Sequence, residues 1–169
     1  MNELTPGTYN EYYQNYVDKA GEDPIALLYD QVNDLSTFIE QNKERLNHRY
    51  DADKWTIRQV IMHIIDTEHV FAYRLLRIGR GHTSPLVGFD QDPYITDNDF
   101  THLDYQDLID QFVSRRLDTL GLINSLQSEY LNRKGNASGS DIDAGSQIFI
   151  IAGHVQHHID VLKERYTKL

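Results

Sequence analysis

A chain of 169 residues with no cysteine has no disulfide framework, no thiolate nucleophile and no thiolate zinc site, so any metal must be held by His, Asp or Glu. A formal net charge of −10 opposes nucleic-acid binding, because no Lys/Arg cluster is available to neutralise phosphates. An apolar share of 40% and a charged share of 25% fit one globular domain over residues 1–169, and only short apolar runs such as IFIIA at 148–152 occur, which excludes a membrane span.

The start, MNELTPGTYNEYY, has acidic residues, no basic ones and no apolar stretch, so it does not read as a signal peptide and the cytoplasm is the expected compartment. Tyr12, Tyr13 and Tyr16 are expected to pack this segment across the rest of the domain. Asp23-Pro24 supplies an N-cap followed by Pro at the first helical position, and Leu27, Leu28, Val32, Leu35 and Ile39 recur at helical spacing. The first long helix is therefore predicted over Pro24–Leu46. The second is predicted over Trp55–Ile78, where Ile57, Val60, Ile61, Ile64, Ile65, Phe71, Ala72 and Leu75 form a broad apolar face.

Residues Gly79–His102 lose this period and are rich in Gly, Pro, Asn and Asp, which predicts a long ordered connection. A third helix is predicted from Leu103-Asp104 to about Arg133, with Leu108, Ile109, Phe112, Leu117, Leu120, Ile123 and Leu126 inward. KGNASGSDIDAG reads as turn. Ser140 or Asp141 is the expected cap of a fourth helix running through Ile148, Ile151, Val155, Ile159 and Leu162. No strand of useful length is predicted. The fold class is all-α, a four-helix bundle with a long crossover loop between helices two and three.

The fourth helix carries GHVQHH, with His154, His157 and His158. At about 100° per residue, His154 and His158 lie about 40° apart on one face, one turn apart, and can converge on one ion. His157 points about 60° to the other side of His154. On the helical wheel His158 falls inside the edge of the apolar stripe and His154 at its margin, where a cleft between helices would open. A third imidazole is available on the second helix at His63, beside Val60, Thr67 and Val70; His69 faces elsewhere, and His48, His82 and His102 fall in turns or loops. Three neutral imidazoles suit zinc, nickel or a similar ion and leave a position open for water or substrate. The competing interpretation is a chance pair of histidines on a wet helix face, in a chain that has eight.

KWTIRQVIMHIIDTEHVFAYRLLRIGRG, then PLVGFDQDPY, then IIAGHVQHHIDVLKERY closely resemble the DinB-like superfamily of bacterial four-helix bundles, which includes the YfiT-like proteins regarded as metal-dependent hydrolases. The resemblance covers nearly the whole chain. It implies a DinB-like bundle holding a divalent metal, nickel or zinc, through His63, His154 and His158. It also implies an enzyme, commonly a homodimer, acting on a small molecule either as a hydrolase or as a transferase of a low-molecular-weight thiol of the bacillithiol or mycothiol type. A non-catalytic, metal-stabilised module is the alternative. SGSDIDAGSQ departs from the family's more apolar run before the last helix, so the pocket is expected to differ there.

Four further residues have two readings each. Glu68, in mid-stripe, is either a general base or a buried contact to Arg or Tyr. Arg74, on the face of His63 three turns on, either holds a substrate carboxylate or is solvated or ion-paired. Asp66 either orients a histidine or is exposed. Phe89, in GFDQD, either caps the cleft or anchors its loop.

Overall fold

The computed structural model describes residues 4–167; Met1–Glu3, part of the expected non-signal start, lie outside the described residues. A short helix α1 (Gln14–Ala20) precedes the long helices α2 (Pro24–Gln41) and α3 (Ile57–Gly79). A short α4 (Asp92–Thr96) follows, then the long α5 (Tyr105–Asn124), a hairpin of β1 (Lys134–Ala137) and β2 (Ser140–Asp143), and α6 (Ala144–Val161). A wider π turn over Leu162–Tyr166 follows α6. The bundle consists of α2, α3, α5 and α6, with α1 packed along α6. No helix among the described residues is long and apolar enough to cross a membrane.

Local chemistry sets the ends of these elements. Asp23 caps α2 by accepting from Ala26 N, with Pro24 in its first turn, as expected. The helix stops at Gln41 rather than Leu46 because the Asn42 amide donates back to Phe38 O (2.8 Å) and a 3-10 turn takes over. Helix α3 starts on a capping box: Thr56 accepts from Gln59 N at 3.2 Å, and Thr56 N donates to Gln59 Oε1 at 2.9 Å. Helix α5 ends at Asn124 rather than Arg133, where the Ser125 hydroxyl donates to Leu122 O (2.7 Å) and the chain turns.

The segment expected to be turn is the β1–β2 hairpin. Its two-residue loop places Ser138 (φ 54°) and Gly139 (φ 79°) in the left-handed region, as a type I′ hairpin requires. Because Ser140 and Asp141 pair in β2, the cap of α6 falls to Asp143, which accepts from Ser146 N at 2.7 Å. The same carboxylate accepts from Thr8 N, tying the N-terminal segment to the start of α6. The connection from α3 to α5 is held by Leu86, whose N–H donates to Asn136 O (2.8 Å) and whose carbonyl accepts from Ser138 N (2.9 Å).

From Ala144 to Val155 every residue of α6 is buried, although Ile and Val are modest helix formers. Burial against α1 on one side and α2 and α3 on the others stabilises it. The bundle's apolar residues fall into two clusters. Between them lies a polar layer of Gln31 on α2, Thr67 and Glu68 on α3, Arg116 on α5 and His154 on α6, all buried.

Candidate metal centre

Helix α3 presents His63 and helix α6 presents His154 and His158 to one point. His63 Nε2 lies 3.1 Å from both His154 Nε2 and His158 Nε2. Imidazole nitrogens about 2.0–2.1 Å from a tetrahedral ion stand about 3.3–3.4 Å apart, so the observed spacings are close to those of a ligand set. A neutral ring offers one lone pair or one N–H at Nε2, so a hydrogen bond between rings accounts for one of these approaches but not well for both at once. The Thr67 hydroxyl stands 3.3 Å from His63 Nδ1 and can accept its proton, which leaves the His63 Nε2 lone pair aimed at the other two nitrogens. A cation among the three nitrogens would satisfy all of them together. The three residues therefore fit a divalent ion, with no thiolate or carboxylate in the set.

Burial keeps the imidazoles neutral and ready to ligate. It pushes the His63 pKa down to about 4, with a smaller contribution from His157. His154 and His158 are driven well below the ordinary histidine range, first by burial and then by neighbouring histidines. The sign of the pH dependence follows. Below the unfolded value of 6.5, the denatured chain takes up a proton that folded His63 refuses, so metal-stripped protein should lose stability from pH 6.5 down to about 4 and be insensitive to this group above 6.5. Urea melts of chelated protein at pH 7.5, 6 and 5 would show this. An unchanged midpoint would mean that the rings are not buried as neutral groups.

The order of burial reverses the wheel-based expectation: His154 is the enclosed residue and His158 the half-buried one. The cause is α1, which the wheel could not include. Tyr16 on α1 meets His154 edge-on, with ring centroids 5.4 Å apart. Burial, reinforced by Tyr12 and Tyr13, raises the Tyr16 pKa to about 12, so its phenol keeps its proton. Trp55 covers His63 from another side at 5.0 Å between centroids. His157 stands apart from the three converging nitrogens and packs on Tyr16 at 5.7 Å.

Glu68 uses both carboxylate oxygens on a different partner. Arg116 donates to them from Nε (3.0 Å) and Nη2 (2.9 Å), and its Nη1 donates to Leu28 O (2.7 Å) and Gln31 Oε1 (3.0 Å). The carboxylate is thus a brace between helices, the contact-to-arginine alternative rather than a free base. Asp66 is half-buried and makes no hydrogen bond to the three histidines among the described residues; Thr67, one position on, holds His63 instead. Of the N-terminal tyrosines, Tyr13 packs edge-on against Phe71 at 6.2 Å, whereas Tyr12 is exposed and does not cross the bundle.

Beside the histidines lies a cavity of ≈ 310 Å³ that reaches His154 and is walled by Tyr13, Tyr16, Phe71 and Phe89, with Arg74 and Ser138 at one end. Arg74 is buried; Nη2 donates to Ser138 Oγ at 2.7 Å and Nη1 to Tyr13 Oη at 3.4 Å. Phe89 meets both Phe71 (6.4 Å) and Tyr94 (5.9 Å), so it anchors its loop and lines the cavity at once. Ser138 was not legible as a site residue, because its position depends on a hairpin that sequence periodicity did not reveal.

Two proteins of Oceanobacillus iheyensis, each named "putative metal-dependent hydrolase", are similar to this chain. One is 29% identical over 150 residues, covering 82% of this chain and 86% of its own length. The other is 29% identical over 126 residues, covering 72% and 70% respectively. Among solved structures, YfiT from Bacillus subtilis, described as "a probable metal-dependent hydrolase with an unusual four-helix bundle topology", superposes with a TM-score of 0.72 over 97% of this chain and 92% of its own, at 16% identity. A sequence model of the DinB superfamily matches residues 9–162, and the chain belongs to that superfamily.

Proposed function

We propose that the chain is a metal-dependent enzyme in which His63, His154 and His158 hold a divalent ion, and that it cleaves or transfers a group on a small molecule bound in the adjoining cavity. The observation that carries this is the convergence of three ring nitrogens, one of them from His154 in the wall of a cavity large enough for such a molecule. A neutral, all-nitrogen set suits zinc or nickel. Such an ion lowers the pKa of a water or thiol and polarises a carbonyl.

The chain's own residues do the rest. Thr67 fixes the ring of His63, and the aromatic walls restrict water around the reacting group. With no cysteine in the chain, a thiol nucleophile must come from outside, so the two chemistries proposed are hydrolysis and attack by a small external thiol. The names of the Oceanobacillus relatives favour hydrolysis.

The test is metal analysis of the purified protein together with His154→Ala and His158→Ala, followed by a panel of esters and amides assayed with and without a small thiol. One ion per chain, at least a tenfold fall in occupancy in each variant, and turnover abolished by a chelator are expected. An ion-free protein that the substitutions leave unchanged would overturn the proposal. A chelator that lowers the melting temperature, with no turnover on any substrate, would identify a metal-stabilised binding module instead.

A further inference from the structure

Three arginines are buried among the described residues, Arg58, Arg74 and Arg116, and their surroundings differ. Arg116 faces the Glu68 carboxylate, and Arg58 lies in the field of Asp99 and Asp104. Arg74 has only the hydroxyls of Ser138 and Tyr13, and among the described residues no carboxylate forms an ion pair with it. Its guanidinium carbon sits 5.6 Å from the centroid of Phe71 and 5.7 Å from that of Phe89. Among the described residues, no acidic one lines the cavity into which it faces. A buried charge answered only by two hydroxyls and two ring faces leaves part of its desolvation cost uncompensated, and an anion in the cavity would supply the missing charge.

Two further observations point the same way. Ser138, which accepts from Arg74 Nη2, is the one non-glycine residue with positive φ among the described residues, at 54°. The hairpin thus holds a serine in a backbone conformation that side chains adopt at a cost, and that serine orients the guanidinium. Phe71 relates the arginine to the histidines. The His154 ring and the Arg74 guanidinium carbon each lie 5.6 Å from the Phe71 centroid, so they are no further apart than twice that distance.

We infer that Arg74 makes this cavity a site for small carboxylic acids, whose carboxylate binds the guanidinium while an apolar body lies across Phe71 and the reacting group reaches the histidine end. Carboxylate is preferred to phosphate because Ser138 and Tyr13 already use part of the fork, leaving donors suited to a planar pair of oxygens rather than to a more highly charged, tetrahedral group. The inference deepens the enzyme reading and rests on it for what happens at the histidine end. Binding of the carboxylate stands independently.

The test is calorimetric titration at fixed ionic strength with 4-phenylbutyrate, its neutral amide and phenyl phosphate, on metal-loaded and metal-stripped protein. The acid should bind at least tenfold more tightly than the amide in both forms. Arg74→Met should bring the two within about twofold while leaving metal content unchanged, and Arg74→Lys, which keeps the charge, should retain part of the preference. Thermal melts establish that each variant is folded, and the wild-type ratio together with Arg74→Lys decides the matter if Arg74→Met does not fold. Equal binding of acid and amide, no binding of the acid, a preference that survives Arg74→Met, or one that vanishes when wild-type protein is stripped of metal would each overturn the inference. Tighter binding of phenyl phosphate would overturn the choice of carboxylate. Absence of turnover alongside an intact, Arg74-dependent acid preference would count against the enzyme reading alone.

Discussion

Arg116→Met is expected to destabilise the fold by about 3–5 kcal/mol, a fifth or more of the stability of an ordinary domain. Both partners of the pair it breaks are sealed from water, with side-chain exposures of 0% for Arg116 and 1% for Glu68. Methionine would fill most of the arginine's space but leave the Glu68 carboxylate buried without a counter-charge. It would also remove the donors to Leu28 O and Gln31 Oε1, and Gln31 in turn donates to Ala152 O (2.9 Å), so the loss spreads from α5 to α2 and α6. Urea denaturation measures the cost. The double variant Arg116→Met, Glu68→Leu should recover much of it, because the orphaned charge is then gone, and the shortfall from additivity gives the coupling. This cycle also separates the two readings of Glu68. If the carboxylate is only a brace, the double variant retains metal-dependent turnover on whatever substrate the panel identifies. A folded double variant that binds metal but lacks activity would restore Glu68 as a candidate base.

The bundle helices and the three converging histidines were legible because both follow from helical spacing: the apolar period marks the inward faces, and the four-residue step from His154 to His158 places two imidazoles together. What was hidden depends on pairing between elements. The third-helix pattern took Leu117 as inward, yet it is 59% exposed, and its neighbour Arg116 is the buried residue. Phe112, Arg116 and Leu120 share a face at four-residue steps, so the arginine interrupts the apolar stripe of α5 as Glu68 interrupts that of α3. Two such misfits of opposite charge on facing helices account for each other, but a single helical wheel cannot show it. The hairpin escaped for another reason. Its strands have four residues each, too few for an alternation to stand out, and the Ser138-Gly139 turn was the one local signal. The placement of Ser138 against Arg74 was beyond reach without the tertiary structure.

Gly153→Ala sets local preference against tertiary packing, and the sign of the result decides between them. In a helix interior alanine is favoured over glycine by about 1 kcal/mol, so α6 taken alone would gain from the change. In the folded chain, however, a Cβ at this position would overlap the carbonyl group of Tyr16 and stand 2.8 Å from its Cα. These are backbone atoms of α1 and cannot swing aside as a side chain would. Relieving the overlap requires α1 to move away from α6, which opens the contact that buries Val17 and Ala20 and draws the Tyr16 ring back from His154. Overpacking of this kind costs about 1–3 kcal/mol or more, and a rigid neighbour places it at the upper end. The expected outcome is therefore a net loss of about 2 kcal/mol in urea denaturation, with faster amide exchange in α1 while α3 and α5 stay protected. A higher melting temperature would show that α1 does not press on α6 as described. Because Gly153 immediately precedes His154, the close approach that demands a glycine is also what encloses one of the two buried histidines of the converging three.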